Sequence, residues 1–258
     1  MSEERAATFG AAVLASGGPD KLAQTLGVPH KALLELAGKP MIEYVTDALA
    51  ECPELERVVV VAHDTGAAPH LQTGLPVVQP QGESYMDAVE AAAAALSDMD
   101  YVLICTCDVP TLTSEAVSHF VQSCRSRPSA DLAYSIVKAS VAQSAAMEMQ
   151  RTVVKLVEEN FVSGCMAAMT RRFLDENIER MGEVFAQRKS IIGLGRLLGW
   201  RFVGKLLLKK LSLVAAVKRA EEILGCEVLV AISPHPCVAF DVDKVSDLVI
   251  ARQWAANR

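Results

Sequence analysis

Three stretches of this chain hold residue types able to handle phosphate and a divalent cation. The first is a glycine turn, Leu14-Ala15-Ser16-Gly17-Gly18-Pro19-Asp20-Lys21, followed by a second lysine, Lys31, in Pro29-His30-Lys31-Ala32-Leu33-Leu34-Glu35-Leu36-Ala37-Gly38-Lys39-Pro40-Met41-Ile42. Glycines expose backbone N–H groups and let the chain approach a phosphate closely. The second is Asp108-Val109-Pro110, directly after an apolar run, and the third is the acidic pair Asp241-Val242-Asp243. A carboxylate at the end of a strand suits Mg²⁺, a hard cation that prefers oxygen ligands. Each stretch also has a plainer reading. The glycine turn serves as a tight turn, and Lys31 as a solvated surface lysine. Asp108 caps a helix starting near Thr113, although it is early for that and Thr111 or Thr113 does it better. Asp243 caps the last helix, with Asp247 in that helix's first turn, where negative charge is favoured.

The surrounding pattern says how such residues would be positioned. Continuous apolar runs predict strands over residues 9–15, 58–62, 75–79 and 101–107. A helix is expected from Pro40, since proline suits the first helical turn. Met41, Val45, Ala48 and Leu49 then repeat with a 3.6-residue period. Further helices are expected over 84–96, with Ser84 as N-cap and Asp87 three positions on, and over 113–124. Later strands are expected over 131–137, 152–157, 228–232 and 238–242, and a last helix over 245–254. Strands alternating with helices imply an α/β fold, a three-layer α/β/α sandwich around a mostly parallel central sheet. Such sheets bind ligands beyond the carboxyl ends of their strands, and the three stretches above lie there.

The chain has 258 residues, 51% hydrophobic, with only 5% aromatic and 22% charged. That is enough apolar material for a large core and too much for a disordered chain. The net charge of −6 argues against a nucleic-acid partner, which calls for basic surfaces. Seven cysteines without paired metal spacing suit a reducing compartment, with Cys105 and Cys107 as small core residues. Residues 1–8 lack the apolar core of a signal peptide, and no run of about 20 uncharged apolar residues occurs. The expectation is a cytoplasmic protein, a single domain over residues 1–258.

The Leu14-Ala15-Ser16-Gly17 turn, the string from Lys31 to Met41, Asp108-Val109-Pro110 and the tail Phe240-Asp241-Val242-Asp243 to Asp247-Leu248 together resemble the MobA-like NTP transferases, nucleotidyltransferases with a GT-A-like, Rossmann-like fold. The resemblance spans nearly the whole chain. It implies Mg²⁺-dependent transfer of a nucleoside monophosphate from an NTP to a phosphorylated small molecule, with pyrophosphate leaving. In that reaction charge builds on phosphate oxygens, so catalysis is positioning plus cations aimed at them. The resemblance assigns Lys31 to the phosphates as a catalytic group beside Asp108. It assigns Leu14, Ala15, Ser16, Gly17 and Gly18 to the nucleotide cradle and Lys21 to the place of a phosphate-gripping arginine. It also assigns Gln79, Gly82 and Ser84 to base and ribose, and Asp108 and Asp243 to the metal, with Asp241 a weaker metal ligand. Ser84 reads equally as a plain N-cap. The chain departs from the family pattern at Pro19, which replaces a glycine, at Lys21, and at Lys244-Val245-Ser246. Met166, in Ser163-Gly164-Cys165-Met166, stands where relatives carry an acceptor-binding asparagine. These departures support one alternative, a non-catalytic nucleotide-binding protein. The Asp241-Val242-Asp243 triplet supports another, a GT-A glycosyltransferase.

Charge is unevenly spread. Residues 182–225 hold nine Lys or Arg and three Glu, a net of +6, leaving 16 basic and 28 acidic residues, a net of −12, elsewhere. The segment reads as helices interrupted by Gly193, Gly195, Gly199 and Gly204. As an insertion it forms a lid over the acceptor or a homodimer contact. Alternatively it is a peripheral membrane element, since basic amphipathic helices lie at anionic lipid surfaces.

Overall fold

The structure is a computed structural model, and it describes residues 5–17, 20–144, 152–187 and 191–258. The chain opens with β1 (Phe9–Leu14) and α1 (Lys21–Leu26), then a one-turn 3₁₀ helix, Lys31–Leu33. A small antiparallel hairpin follows, β2 (Glu35–Leu36) with β3 (Lys39–Pro40), leading into α2 (Met41–Ala50). Next come β4 (Leu55–Val61), β5 (Val77–Val78), α3 (Tyr85–Ala95), β6 (Tyr101–Thr106) and α4 (Ser114–Arg125). The second half holds β7 (Leu132–Lys138), α5 (Ala139–Ser144), β8 (Val153–Lys155), β9 (Asn160–Thr170) and α6 (Arg171–Gln187). Helices α7 (Ile191–Leu198), α8 (Trp200–Leu207) and α9 (Leu213–Leu224) precede β10 (Val228–Ser233) and α10 (Val245–Ala256).

The main sheet runs β10-β7-β9-β6-β1-β4-β5, with β8 added beside β9. Pairs β1/β4, β1/β6, β4/β5 and β7/β10 are parallel, and β9 is antiparallel to both β6 and β7. Helices cover both faces, giving the three-layer α/β/α sandwich. Alternation along β1 shows why. Ala11, Val13 and Ala15 face a core shared with Ile42 and Val45 of α2 and Val117 and Phe120 of α4. Ala12 and Leu14 face the opposite core, shared with Val89 of α3 and Phe173 of α6. Each large apolar side chain so buried stabilises the fold by roughly 1.5–3 kcal/mol. A third cluster seals the C-terminal helix onto the hairpin, with Leu36, Met41, Phe240, Val242 and Leu248 in contact.

Two expectations are corrected. Residues 238–242 do not form a strand: Pro236–Ala239 is a 3₁₀ turn, and the chain after it has no ladder partner. The N–H groups of Val238, Phe240 and Val242 go instead to the His235, Cys237 and Asp108 carbonyls, so the apolar run turns and packs without a ladder. The longest strand, β9, goes unforeseen because its sequence, Asn-Phe-Val-Ser-Gly-Cys-Met-Ala-Ala-Met-Thr, is poor in β-branched residues. Its register against β7 slips between Tyr134 and Ile136, and Gly164 lies opposite. A Cβ on Gly164 would fall on the Ser135 side chain and 2.8 Å from the Ser135 carbonyl oxygen. We therefore expect Gly164→Ala to lower unfolding stability by roughly 1–3 kcal/mol. Urea denaturation checks this, and an unchanged midpoint would contradict the tight β7/β9 approach.

Candidate active site

The parallel register sets the site. Leu14 of β1 pairs with Thr106 of β6, so the residues that follow each strand emerge side by side. After β1, the Ala15 N–H donates to the Val61 carbonyl at 2.8 Å, which holds the start of the glycine turn against β4. The turn ends at Asp20, whose Oδ1 accepts from the Ala23 N–H at 2.7 Å and caps α1. After β6, Asp108 is buried, and its carbonyl accepts from the Val242 N–H at 2.8 Å. That bond ties the acidic tail to the end of the sheet.

Lys31 meets these carboxylates. Its Nζ lies 2.5 Å from Asp108 Oδ2, 2.9 Å from Asp243 Oδ1 and 3.7 Å from Asp20 Oδ2. The lysine side chain is only 18% exposed. Burial pulls its pKa down, but Asp108, with Cys107 and Asp243 behind it, more than reverses this and holds the ammonium well above the ordinary lysine value. Asp108 Oδ1 is buried and has no hydrogen-bond partner in the structure. Neighbouring Cys107 is no nucleophile: burial, then the Asp108 charge, pushes its thiol up to about 12.

The plainer readings of the carboxylates fail on geometry. Thr113, not Asp108, caps α4, its Oγ1 accepting from the Ala116 N–H at 3.3 Å. Asp247, not Asp243, caps α10: its Oδ2 accepts from the Asp243 and Lys244 N–H groups at 3.2 and 3.1 Å. Asp243 is thereby left to reach Lys31.

Two hollows meet at Asp108. The first, about 220 Å³, is lined by Leu14, Ser16, Gly17, His30, Lys31, Glu83, Ser84, Tyr85, Thr106, Cys107 and Asp108. The second, about 160 Å³, is lined by Thr106, Asp108, Val109, Ser163, Gly164, Cys165, Val238, Asp241 and Asp243. Of the expected nucleotide residues, Leu14, Ser16, Gly17, Lys31 and Ser84 come together in the first. Ala15 is buried beneath it, and Lys21 is exposed on α1 outside the lining. Gln79 is exposed past β5, and neither it nor Gly82 lines the cleft. Gly82 shapes the entry to α3, where a Cβ would lie 2.5 Å from the Asp87 carboxylate. Ser84 and Asp87 complete a reciprocal cap there. Gly18 and Pro19 lie outside the described residues. Met166 is buried, its backbone N–H and carbonyl both bonded to Ser135 Oγ. It does not line the second hollow, so its failure to mimic asparagine says nothing about acceptor contact; Ser163 and Gly164 are the β9 residues that face there.

Two residues that sequence reasoning missed are structural partners of Lys31. Asp20 is one. His30 is the other: buried, it caps the Lys31 turn by accepting the Ala32 N–H on Nδ1 at 3.1 Å. Its position just before a short turn, next to Lys31, is the signal that could have found it.

This arrangement of a mostly parallel sheet, a strand-end carboxylate and the lysine that meets it defines an α/β protein of the nucleotidyltransferase fold. The chain belongs to the MobA-like NTP transferase family, whose domain matches residues 11–187. It is similar to a hypothetical transferase from Thermus thermophilus, with 32% identity, a TM-score of 0.81, and coverage of 93% of this chain and 100% of that one. A molybdenum cofactor guanylyltransferase from Shewanella woodyi is 28% identical over 117 residues, 45% of this chain and 57% of that protein. The chain spans about half the length of the curated relatives it matches. A CMP:2-keto-3-deoxy-manno-octonic acid synthetase complexed with CTP shares the fold at a TM-score of 0.64 and 15% identity, covering 97% of this chain and 99% of that one.

The His30 imidazole gives a pH prediction. Burial, against the opposing pull of Asp20, holds it below the ordinary value of 6.5. A depressed folded value means that neutral His30 stabilises the fold above that ordinary value, and that the contribution is lost as pH falls through the folded one. We expect stability to decline as pH falls below about 6.5, and less steeply in His30→Gln. Parallel urea-denaturation profiles for the two proteins would contradict this.

Proposed function

We propose that the protein transfers a nucleoside monophosphate from an NTP to a phosphorylated small-molecule acceptor. An acceptor phosphate oxygen bonds to the α-phosphorus, the bond from that phosphorus to the β-phosphate oxygen breaks, and pyrophosphate leaves. The observation that carries this reading is Lys31 set between Asp108 and Asp243, where two hollows meet. A group transferred from one hollow to the other passes Asp108. The family match favours this reading over a glycosyltransferase.

In this reading the first hollow takes the nucleotide. The Ser16–Gly17 backbone approaches its phosphates, and Ser84 and Tyr85 edge the far side. The Lys31 ammonium neutralises charge developing on the phosphate oxygens. The second hollow takes the acceptor, with Ser163 and Asp241 on its wall. Among the described residues no three His, Cys, Asp or Glu form a cage for a metal. Mg²⁺ does not need one, because it binds through one or two carboxylates together with substrate phosphates. The unpartnered Asp108 Oδ1 fits that requirement, with Asp243 beside it and Asp241 across the second hollow. When bound there, the ion neutralises phosphate charge and orients the leaving group.

A thermal-shift panel of the four NTPs with Mg²⁺ tests the nucleotide half. Nucleotide near 100 times its dissociation constant should raise the melting temperature by roughly 5–10 °C. Pyrophosphate release with phosphorylated acceptors tests the transfer. Lys31→Met and Asp108→Asn should each slow it by about 10²–10³-fold while leaving a cooperative unfolding transition. Unchanged turnover in either variant would overturn the assignment.

A further inference from the structure

The helical segment after the site carries an outward face that the reaction does not use. In α8, a 3.6-residue period places Trp200 and Leu207 on one stripe, Leu208 beside it, and Arg201 and Lys205 on the flank. Val203, on the same stripe between Trp200 and Leu207, is buried, and Leu211 anchors the following turn. The Trp200 indole lies over buried Gly195 of α7 yet stays 60% exposed, and Leu207 and Leu208 are 75% and 68% exposed. Lys209 and Lys210 extend the cationic flank, and no Asp or Glu occurs between Glu183 and Glu221. Lys209 holds a left-handed backbone, φ 56°, which favours glycine and strains a lysine. Beside the turn lies the β8–β9 loop, whose exposed Val157 donates its N–H to the Leu211 carbonyl at 3.0 Å.

We propose that this face docks on an anionic bilayer surface. Tryptophan and leucine insert at the headgroup level while adjacent lysines and arginines meet lipid phosphates. The apolar residues project from a helix and loop tips and do not line a groove, which suits a planar lipid surface better than a protein partner. The net −12 on the rest of the chain would turn the remaining surface away from the same membrane. No described helix is long and apolar enough to cross a membrane, so the contact is peripheral. This inference stands on the surface alone and survives or fails independently of nucleotide transfer.

The test is co-sedimentation of the full chain with vesicles of phosphatidylcholine mixed with phosphatidylglycerol. The chain has two tryptophans, so Trp254→Phe leaves Trp200 as the sole emission reporter. We expect binding at low salt, a blue shift of Trp200 emission, and loss of both at high salt. Lys209→Gln with Lys210→Gln should weaken partitioning about 30-fold. Leu207→Ser with Leu208→Ser should abolish the blue shift while keeping the cooperative urea unfolding transition of the parent, which shows that the variant folds. No binding at low salt would overturn the proposal. So would equal binding to pure phosphatidylcholine, binding indifferent to the leucine substitutions, or a stable dimer in sedimentation velocity that shifts Trp200 emission without lipid.

Discussion

One ammonium among three carboxylates organises this molecule's working end. Lys31 draws together Asp20 at the head of α1, Asp108 at the end of β6 and Asp243 in the tail, segments separated by most of the chain. Burying a carboxylate without a partner costs several kcal/mol, so Asp108 at the sheet's edge is tolerable only with a cation beside it. Formally the cluster holds three negative charges against one positive. The excess is what a divalent ion arriving with a polyphosphate would offset. The lysine therefore has two partners in prospect, carboxylates in the free protein and phosphate oxygens in the proposed complex.

The scaffold makes that convergence cheap. Parallel strands β1 and β6 end level with one another, and the Val242 N–H on the Asp108 carbonyl fixes the tail at the same height. Local caps then release the functional side chains from structural duty. Thr113 closes α4 and Asp247 closes α10. His30 closes the Lys31 turn by accepting on Nδ1, and burial, with the neighbouring Lys31 charge adding to it, disfavours its protonated form.

Much of this was legible in the residues because it depends on local signals. The apolar runs that became β1, β4, β6 and β7 are rich in valine and isoleucine or bounded by turns, and Ser84 with Asp87 announces a helix start. The glycine turn and Asp108 could be named from residue type and their place after apolar runs, Lys31 and Asp243 through the family resemblance. What was not legible depends on contacts distant in sequence. Strand β9 is a strand because β6 and β7 leave a gap that only an antiparallel partner fills, and its alanines and methionines carry no local strand preference. Residues 238–242 are the converse, an apolar run with strand-like composition that packs without pairing. Gln79 and Lys21 read as ligand contacts by position in a motif, yet both stand away from the hollow they were expected to line.

The acceptor half of the site obeys a different constraint from the nucleotide half. Polyphosphate recognition needs only backbone N–H groups, a cation and a carboxylate, which many sequences supply in the same order. The hollow proposed for the acceptor is walled by β9, where Gly164 must be glycine because Ser135 leaves no room for a side chain. That single restriction sets the floor of the second hollow and turns Ser163, hydrogen-bonded through its Oγ to the Tyr134 hydroxyl, into its wall. Met166, two positions beyond Gly164, is committed to the core by the two Ser135 bonds to its backbone. In the proposed reading, the polar groups the second hollow offers an acceptor are a hydroxyl and a carboxylate, from Ser163 and Asp241. A change of acceptor within a shared fold requires no more than this: the phosphate machinery stays on the parallel strand ends, while one antiparallel strand, free to differ in sequence, decides what meets it.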